Sequence, residues 1–213
     1  MTQAIDFSLY AILDVTVLSE AGLTLEDAAE AAASGGASIL QLRDKAASGR
    51  ALFDETVRLL RVTRKLGVLL IVNDRADVAA AAAADGVHVG RDDLPVEAAR
   101  AVLPAGAIVG ATARSLAEAQ AAASAGATYV GVGSLFASRT KSAPRVDARD
   151  AGEIAHALDI PVVAIGGIDE SGAAELARRG LAGVAVCRAL FDRTDVAVAA
   201  RRIRGAFLGV TKP

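Results

Sequence analysis

Apolar, β-branched runs alternate eight times with helical patterns along this chain of 213 residues. The runs are Leu9–Leu13, Ser38–Leu42, Val68–Val72, Gly86–Val89, Ala107–Ala111, Thr128–Val132, Val162–Ile165 and Gly183–Val186. They read as apolar on both faces, as strands of a covered parallel sheet do. Between them the period becomes helical, with Phe53, Val57 and Leu60 on one stripe and Val196, Ala199, Ile203 and Phe207 on another. Thr24-x-x-Asp27 and Ser115-x-x-Glu118 look like helix starts. Gly35-Gly36-Ala37, Asp85-Gly86, Gly126-Ala127 and Leu181-Ala182-Gly183 read as the helix stops before strands. Eight such units predict an α/β fold, a compact (β/α)8 TIM barrel, with residues 1–213 forming one domain. A doubly wound open sheet is the second reading. Gly131-x-Gly133 is a poor dinucleotide fingerprint, because Phe136 stands where the third glycine belongs.

The charges nearly balance, with 23 basic and 25 acidic residues and a net charge of −2. No basic block marks a nucleic-acid or membrane-surface binder. One cysteine excludes an internal disulfide framework, and two histidines leave little for a His-rich metal centre. The opening stretch lacks the basic and apolar regions of a signal peptide. No apolar run approaches the length of about 18 residues that spans a bilayer. A cytoplasmic protein is expected. With no Trp and 3% aromatic residues, the core is expected to be aliphatic.

In such barrels the chemistry sits at the C-terminal ends of the strands. Gln41, Arg43 and Lys45 share one face of an extended chain and bring an amide, a guanidinium and an ammonium together, which suits a phosphate. An ion-pair rim with Asp44 is the plainer alternative. Asn73 and Asp74 follow the third run, and Asp93 follows the fourth. Two oxygen ligands beside an amide suit Mg²⁺, which keeps positions for water and substrate phosphate. Asp74, and Asp92 or Asp93, could equally cap the helices that follow them. Thr112 and Arg114 come after the fifth run, and the long loop after the sixth holds Ser138, Arg139, Thr140 and Lys141, again suited to an anion. Gly166-Gly167 offers bare backbone after the seventh, and Cys187-Arg188 follows the eighth, where this fold usually holds a phosphate. The opposite end of the barrel shows nothing comparable, and that asymmetry favours metal binding over capping. A diphosphate and a monophosphate substrate would use every part.

These residues resemble the thiamine phosphate synthase family from Tyr10 to about Leu190. The resemblance rests on Gln41-Leu-Arg-Asp-Lys45, Val72-Asn-Asp-Arg75, Asp85-Gly-Val-His-Val-Gly90 with Asp93-Leu-Pro95, Tyr129-Val-Gly-Val-Gly133 through Thr140-Lys141, and Ala164-Ile-Gly-Gly-Ile168. It implies that hydroxymethylpyrimidine diphosphate and a thiazole phosphate join to give thiamine phosphate and pyrophosphate. By the same resemblance, Gln41, Arg43, Lys45, Asn73 and Lys141 bind the pyrimidine diphosphate, and Asp74 and Asp93 hold Mg²⁺. Thr112 stands near the diphosphate, where the family usually has a serine. Ser138, Arg139, Thr140 and Gly167, with the backbone after the eighth strand, would contact the thiazole phosphate. Arg43, Lys45 and Lys141 would stabilise the charge that develops on the leaving pyrophosphate. The implied partners are these small molecules, with no nucleic acid or membrane; self-association into a homo-oligomer stays open.

Arg114 replaces a common histidine of the family. Cys187-Arg188 stands where an apolar residue and a serine are usual, leaving Arg188 either as a charged contact or turned away. A thiazole tautomerase of the same fold and a non-catalytic phosphate- or thiamine-binding barrel are the rival readings. The tautomerases typically lack the clamp and the metal pair and use a histidine near Arg114. His88 is expected to be a hydrogen-bonded structural residue and His156 a surface one. Cys187 is expected to pack as a small buried residue, Tyr10 to face the pyrimidine or fill the barrel, and Asp92 to be a solvated neighbour of Asp93.

Overall fold

The computed structural model describes residues 4–136 and 145–209. Eight parallel strands close into a barrel: β1 (Leu9–Asp14), β2 (Ile39–Arg43), β3 (Leu69–Asn73), β4 (Gly86–Val89), β5 (Ile108–Ala113), β6 (Tyr129–Gly133), β7 (Val162–Ile165) and β8 (Gly183–Val186). Each pairs with the next, and β8 pairs with β1 through Ala185 beside Tyr10. The closure rules out an open sheet.

Helices α1 (Val15–Glu20) and α2 (Leu25–Ser34) follow β1, and α3 (Gly49–Leu66), α4 (Ala76–Ala82), α5 (Val96–Val102) and α6 (Leu116–Ser124) follow β2 to β5 in turn. Helices α7 (Ala148–Ala157) and α8 (Glu170–Arg178) follow β6 and β7, and α9 (Arg188–Phe191) and α10 (Val196–Leu208) follow β8. Thr24 and Ser115 cap α2 and α6 by accepting from the N–H groups of Asp27 and Glu118. The buried stripe of α3 is Leu52, Thr56, Leu59 and Thr63, with Leu60 beside it. It lies one residue away from the Phe53–Val57 line expected from the pattern. Thr56 and Thr63 can sit in it because their hydroxyls bond the carbonyls of Leu52 and Leu60 one turn back.

Strand alternation divides the core in two. Leu9, Ala11, Leu13, Leu40, Leu42, Val72, Val87, Val109 and Val130 point outward into the layer between sheet and helices. Tyr10, Ile12, Ile39, Ile71, Ile108, Tyr129, Val163 and Ala185 fill the barrel with Phe7. The core is therefore not wholly aliphatic, since both tyrosines of the chain lie inside the barrel at 1% exposure. Glycines make that room: a Cβ on Gly110 would lie 2.1 Å from the Tyr129 ring.

Strands β1, β2 and β3 end at Asp14, Arg43 and Asn73, one residue beyond the apolar runs. Ladder pairing depends on backbone and not on side-chain polarity, so it continues to where the inward-pointing residue meets an open cavity.

Candidate functional site

One cavity of about 580 Å³ opens at the C-terminal ends of the strands and receives residues from the ends of all eight. Gln41, Arg43, Lys45, Asn73, Asp74, Asp93 and Thr112 line one side. Gly166, Gly167, Cys187 and Arg188 line the other. Ser138, Arg139, Thr140 and Lys141 lie outside the described residues.

Gln41, Arg43 and Lys45 alternate inward at the end of β2, as the extended chain requires. Arg43 does not pair with Asp44, whose Oδ1 instead accepts from the N–H groups of Ala46 and Ala47 at 2.8 and 3.0 Å. The Arg43 guanidinium binds Asp14 at the end of β1, its neighbour in the ladder. Asp14 is 2% exposed, and its other oxygen caps α1 by accepting from the N–H of Val17 at 3.2 Å. One buried carboxylate thus starts a helix and aims a guanidinium. The sequence reading overlooked Asp14, although it follows an apolar run just as Asp74 does.

Lys45 is ion-paired with Asp74. Asp74 has φ 64°, in the left-handed region that asparagine and aspartate tolerate better than other residues with a side chain. Its N–H is held by the carbonyl of His88 at 2.7 Å. Such a conformation is unfavourable by of order 1 kcal/mol and persists where the surroundings enforce it. Here the turn brings the carboxylate against that of Asp93. Burial holds the Asp93 carboxyl above its usual range, and a hydrogen bond to Asp74 and the charge of Asp74 add to the effect. The N–H of Gly90 (2.8 Å from Oδ2) and the charge of Lys45 oppose it.

The capping alternative fails on geometry. Helix α4 begins after Arg75 and α5 after Pro95, and neither has a side-chain cap bond. The two carboxylates converge on each other, a donor set of hard oxygens that fits Mg²⁺. No group of three or more His, Cys, Asp or Glu residues among the described residues is placed to share a metal. A cation held by this pair would thus keep positions for substrate oxygens. Asp92 is exposed at the cavity rim.

Across the cavity, Gly166 and Gly167 have φ of 100° and 67°. A Cβ on Gly166 would lie 2.3 Å from Ser134 Oγ, so the chain there must be bare. Arg188 donates to Glu20 of α1 at 2.7 Å and to Asp192 at 3.3 Å. Its charge is answered before any ligand arrives. Burial, with Asp14 nearby, pushes the Cys187 thiol up to about 12, which excludes a thiolate nucleophile at neutral pH. Arg114 reaches the cavity, and its Nε is buried without a hydrogen-bond partner among the described residues. His156 is exposed and bonds the Gly152 carbonyl at 2.7 Å. Tyr10 lies beneath the cavity and fills the barrel, where its hydroxyl accepts from Gln41 Nε2 at 2.7 Å.

Residues 9–190 match the family model described as thiamine monophosphate synthase. A thiamine-phosphate synthase of Ruminiclostridium cellulolyticum is 39% identical over 209 residues, covering 98% of this chain and 99% of that protein. One of Anaeromyxobacter dehalogenans is 47% identical over 182 residues, 84% of this chain and 81% of the other. The solved thiamine phosphate pyrophosphorylase of Pyrococcus furiosus superposes with a TM-score of 0.88 at 34% identity, covering 97% of this chain and 98% of its own.

Proposed function

The chain belongs to the thiamine monophosphate synthase family, and on that premise we propose that it condenses hydroxymethylpyrimidine diphosphate with a thiazole phosphate, releasing thiamine phosphate and pyrophosphate. The observation that carries the reading is the convergence of Asp74 and Asp93, with Lys45 and Arg43 beside them, opposite a bare glycine turn in one cavity.

The bond that breaks joins the pyrimidine methylene to the diphosphate oxygen. Its electrons leave with pyrophosphate, so positive charge develops on the methylene carbon and negative charge on the leaving group. Arg43 and Lys45 lie where that negative charge grows, and Lys141 joins them by family resemblance. Asn73 and Gln41 hold the pyrimidine substrate, and Thr112 offers a hydroxyl near the diphosphate. Asp74 and Asp93 would hold Mg²⁺, which when bound offsets charge on the diphosphate oxygens. Gly166, Gly167 and the backbone at Cys187 and Arg188 take the thiazole phosphate, with Ser138, Arg139 and Thr140 contributing by resemblance. The short α9 after β8 suits the phosphate site usual in these barrels. Fixing the thiazole nitrogen against the methylene carbon converts a two-body encounter into a step within one complex. None of this calls for a protein acid or base. That suits a cavity whose only cysteine has a raised thiol pKa and whose histidine, His88, is engaged at both ring nitrogens.

The test is to mix the protein with both substrates, with Mg²⁺ or with EDTA, and follow both products. Equal, Mg²⁺-dependent release of thiamine phosphate and pyrophosphate is expected. Folded protein that binds the substrates and forms neither product would overturn the reading.

A further inference from the structure

At the cavity floor, five side chains from five strands form an unbroken chain of hydrogen bonds through the barrel. Gln41 Nε2 lies 2.7 Å from the Tyr10 hydroxyl. Tyr10 and Tyr129 share a hydroxyl contact of 3.1 Å, and Tyr129 lies 2.9 Å from His88 Nδ1. His88 Nε2 lies 2.9 Å from Thr112 Oγ1. The two ends, Gln41 and Thr112, face the cavity, while both tyrosines are 1% exposed. Glycines again clear the path, since a Cβ on Gly131 would meet His88 Cε1 at 3.0 Å.

A carboxamide nitrogen only donates. The Tyr10 oxygen therefore accepts from Gln41, and where every proton of the chain is used within it, the Tyr10 proton goes to Tyr129. The Tyr129 proton then goes to His88 Nδ1, which must be unprotonated. His88 carries its proton on Nε2 and gives it to Thr112 Oγ1, so the Thr112 hydroxyl hydrogen is left to face the cavity. At the other end the Gln41 carbonyl oxygen is left facing it. Reversing the chain would require the Gln41 amide to turn over, so that its oxygen and not its nitrogen met the Tyr10 hydroxyl. A fully satisfied buried network fixes its members' orientations, and its pattern of donors and acceptors is read from the partners.

We propose that Tyr10, Tyr129 and His88 are positioning residues that run this relay in one direction, so that Gln41 presents an acceptor and Thr112 a donor to the pyrimidine diphosphate. The substrate assignment rests on the function proposed above; the direction of the relay does not.

The experiment has two arms. Nitrogen-15 NMR of the protein without ligand reads the His88 tautomer, with the second histidine removed as His156→Gln for assignment. A proton on Nε2 and none on Nδ1 is expected in wild type, and Tyr129→Phe should lose that fixed tautomer while remaining folded by circular dichroism. A proton on Nδ1 in wild type would overturn the direction, whatever the protein catalyses. Kinetics supply the second arm. Glutamine at position 88 can accept from Tyr129 and donate to Thr112, whereas leucine fills space without either bond. His88→Gln should keep turnover within about threefold, and His88→Leu should lose about tenfold or more in kcat/KM for the pyrimidine diphosphate. Equal losses in both variants, or a milder loss for leucine, would overturn the positioning role. Wild type with the expected tautomer but no turnover would remove the proposed function and leave the direction of the relay standing.

Discussion

The β2–β5 side of the cavity mouth and the β7–β8 side are built from opposite materials. On the first, charges come on side chains, and the ion pairs Arg43–Asp14 and Lys45–Asp74 are contributed by neighbouring strands. On the second, Gly166 and Gly167 expose backbone, and the Arg188 guanidinium is already bound by Glu20 and Asp192. A diphosphate that must leave with growing negative charge needs formal charges that strengthen their grip during the reaction. A phosphate that only anchors its substrate needs no more than steady hydrogen bonds from N–H groups. On the proposed function, the first side would work on the transition state and the second on binding.

Asp74→Ala strikes the first side hardest. Turnover should fall on the order of 100-fold, since one transition-state charge contact is worth roughly 3 kcal/mol. Unchanged kcat at saturating Mg²⁺ would break the distinction. Asp14→Asn is the more selective change. Asparagine caps a helix about as well as aspartate, so α1 should stay in place while Arg43 loses its charged anchor. The KM for the pyrimidine diphosphate should rise about tenfold, the effect of one charge-assisted hydrogen bond. The KM for the thiazole phosphate should stay level; equal rises in both would mean that the two sides are not independent. Arg188→Ser should change the KM for the thiazole phosphate less than about threefold, because Glu20 and Asp192 already pair its charge. A steep rise would make Arg188 a ligand and the second side charged after all.

Asp93→Asn reads stability, where the effect is smallest. Its carboxyl is raised by burial and by Asp74, so the folded protein holds that proton more tightly than the unfolded chain does. The stability gained from the proton is full below the unfolded value and is lost as pH rises through the raised folded value. At pH 7 in EDTA the variant should melt about 2 °C above wild type, and the two should converge as the pH falls through that window. A lower Tm for the variant at pH 7 would contradict the assigned repulsion.

The barrel was legible in the sequence because its outward strand residues are uniformly apolar and its helices carry their own caps at Thr24 and Ser115. The charged side of the mouth was legible for a related reason: each apolar run stops at a polar residue, and parallel strands deliver those residues to one end. Asp14 followed the same rule and was overlooked. What the pattern does not encode is who pairs with whom. Glu20 and Arg188 are far apart in the chain and meet only because α1 and α9 flank the β8–β1 closure. The barrel interior was equally hidden. Tyr129 looks like any apolar strand residue until Gly110, its ladder neighbour, leaves room for its ring inside the barrel.

The most direct measurement is a crystal structure grown with Mg²⁺ and pyrophosphate. The account predicts a cation between Asp74 and Asp93, with pyrophosphate oxygens on Arg43 and Lys45 and none on Gly166–Gly167. Pyrophosphate seated on the glycine turn, with no cation at the carboxylate pair, would contradict it.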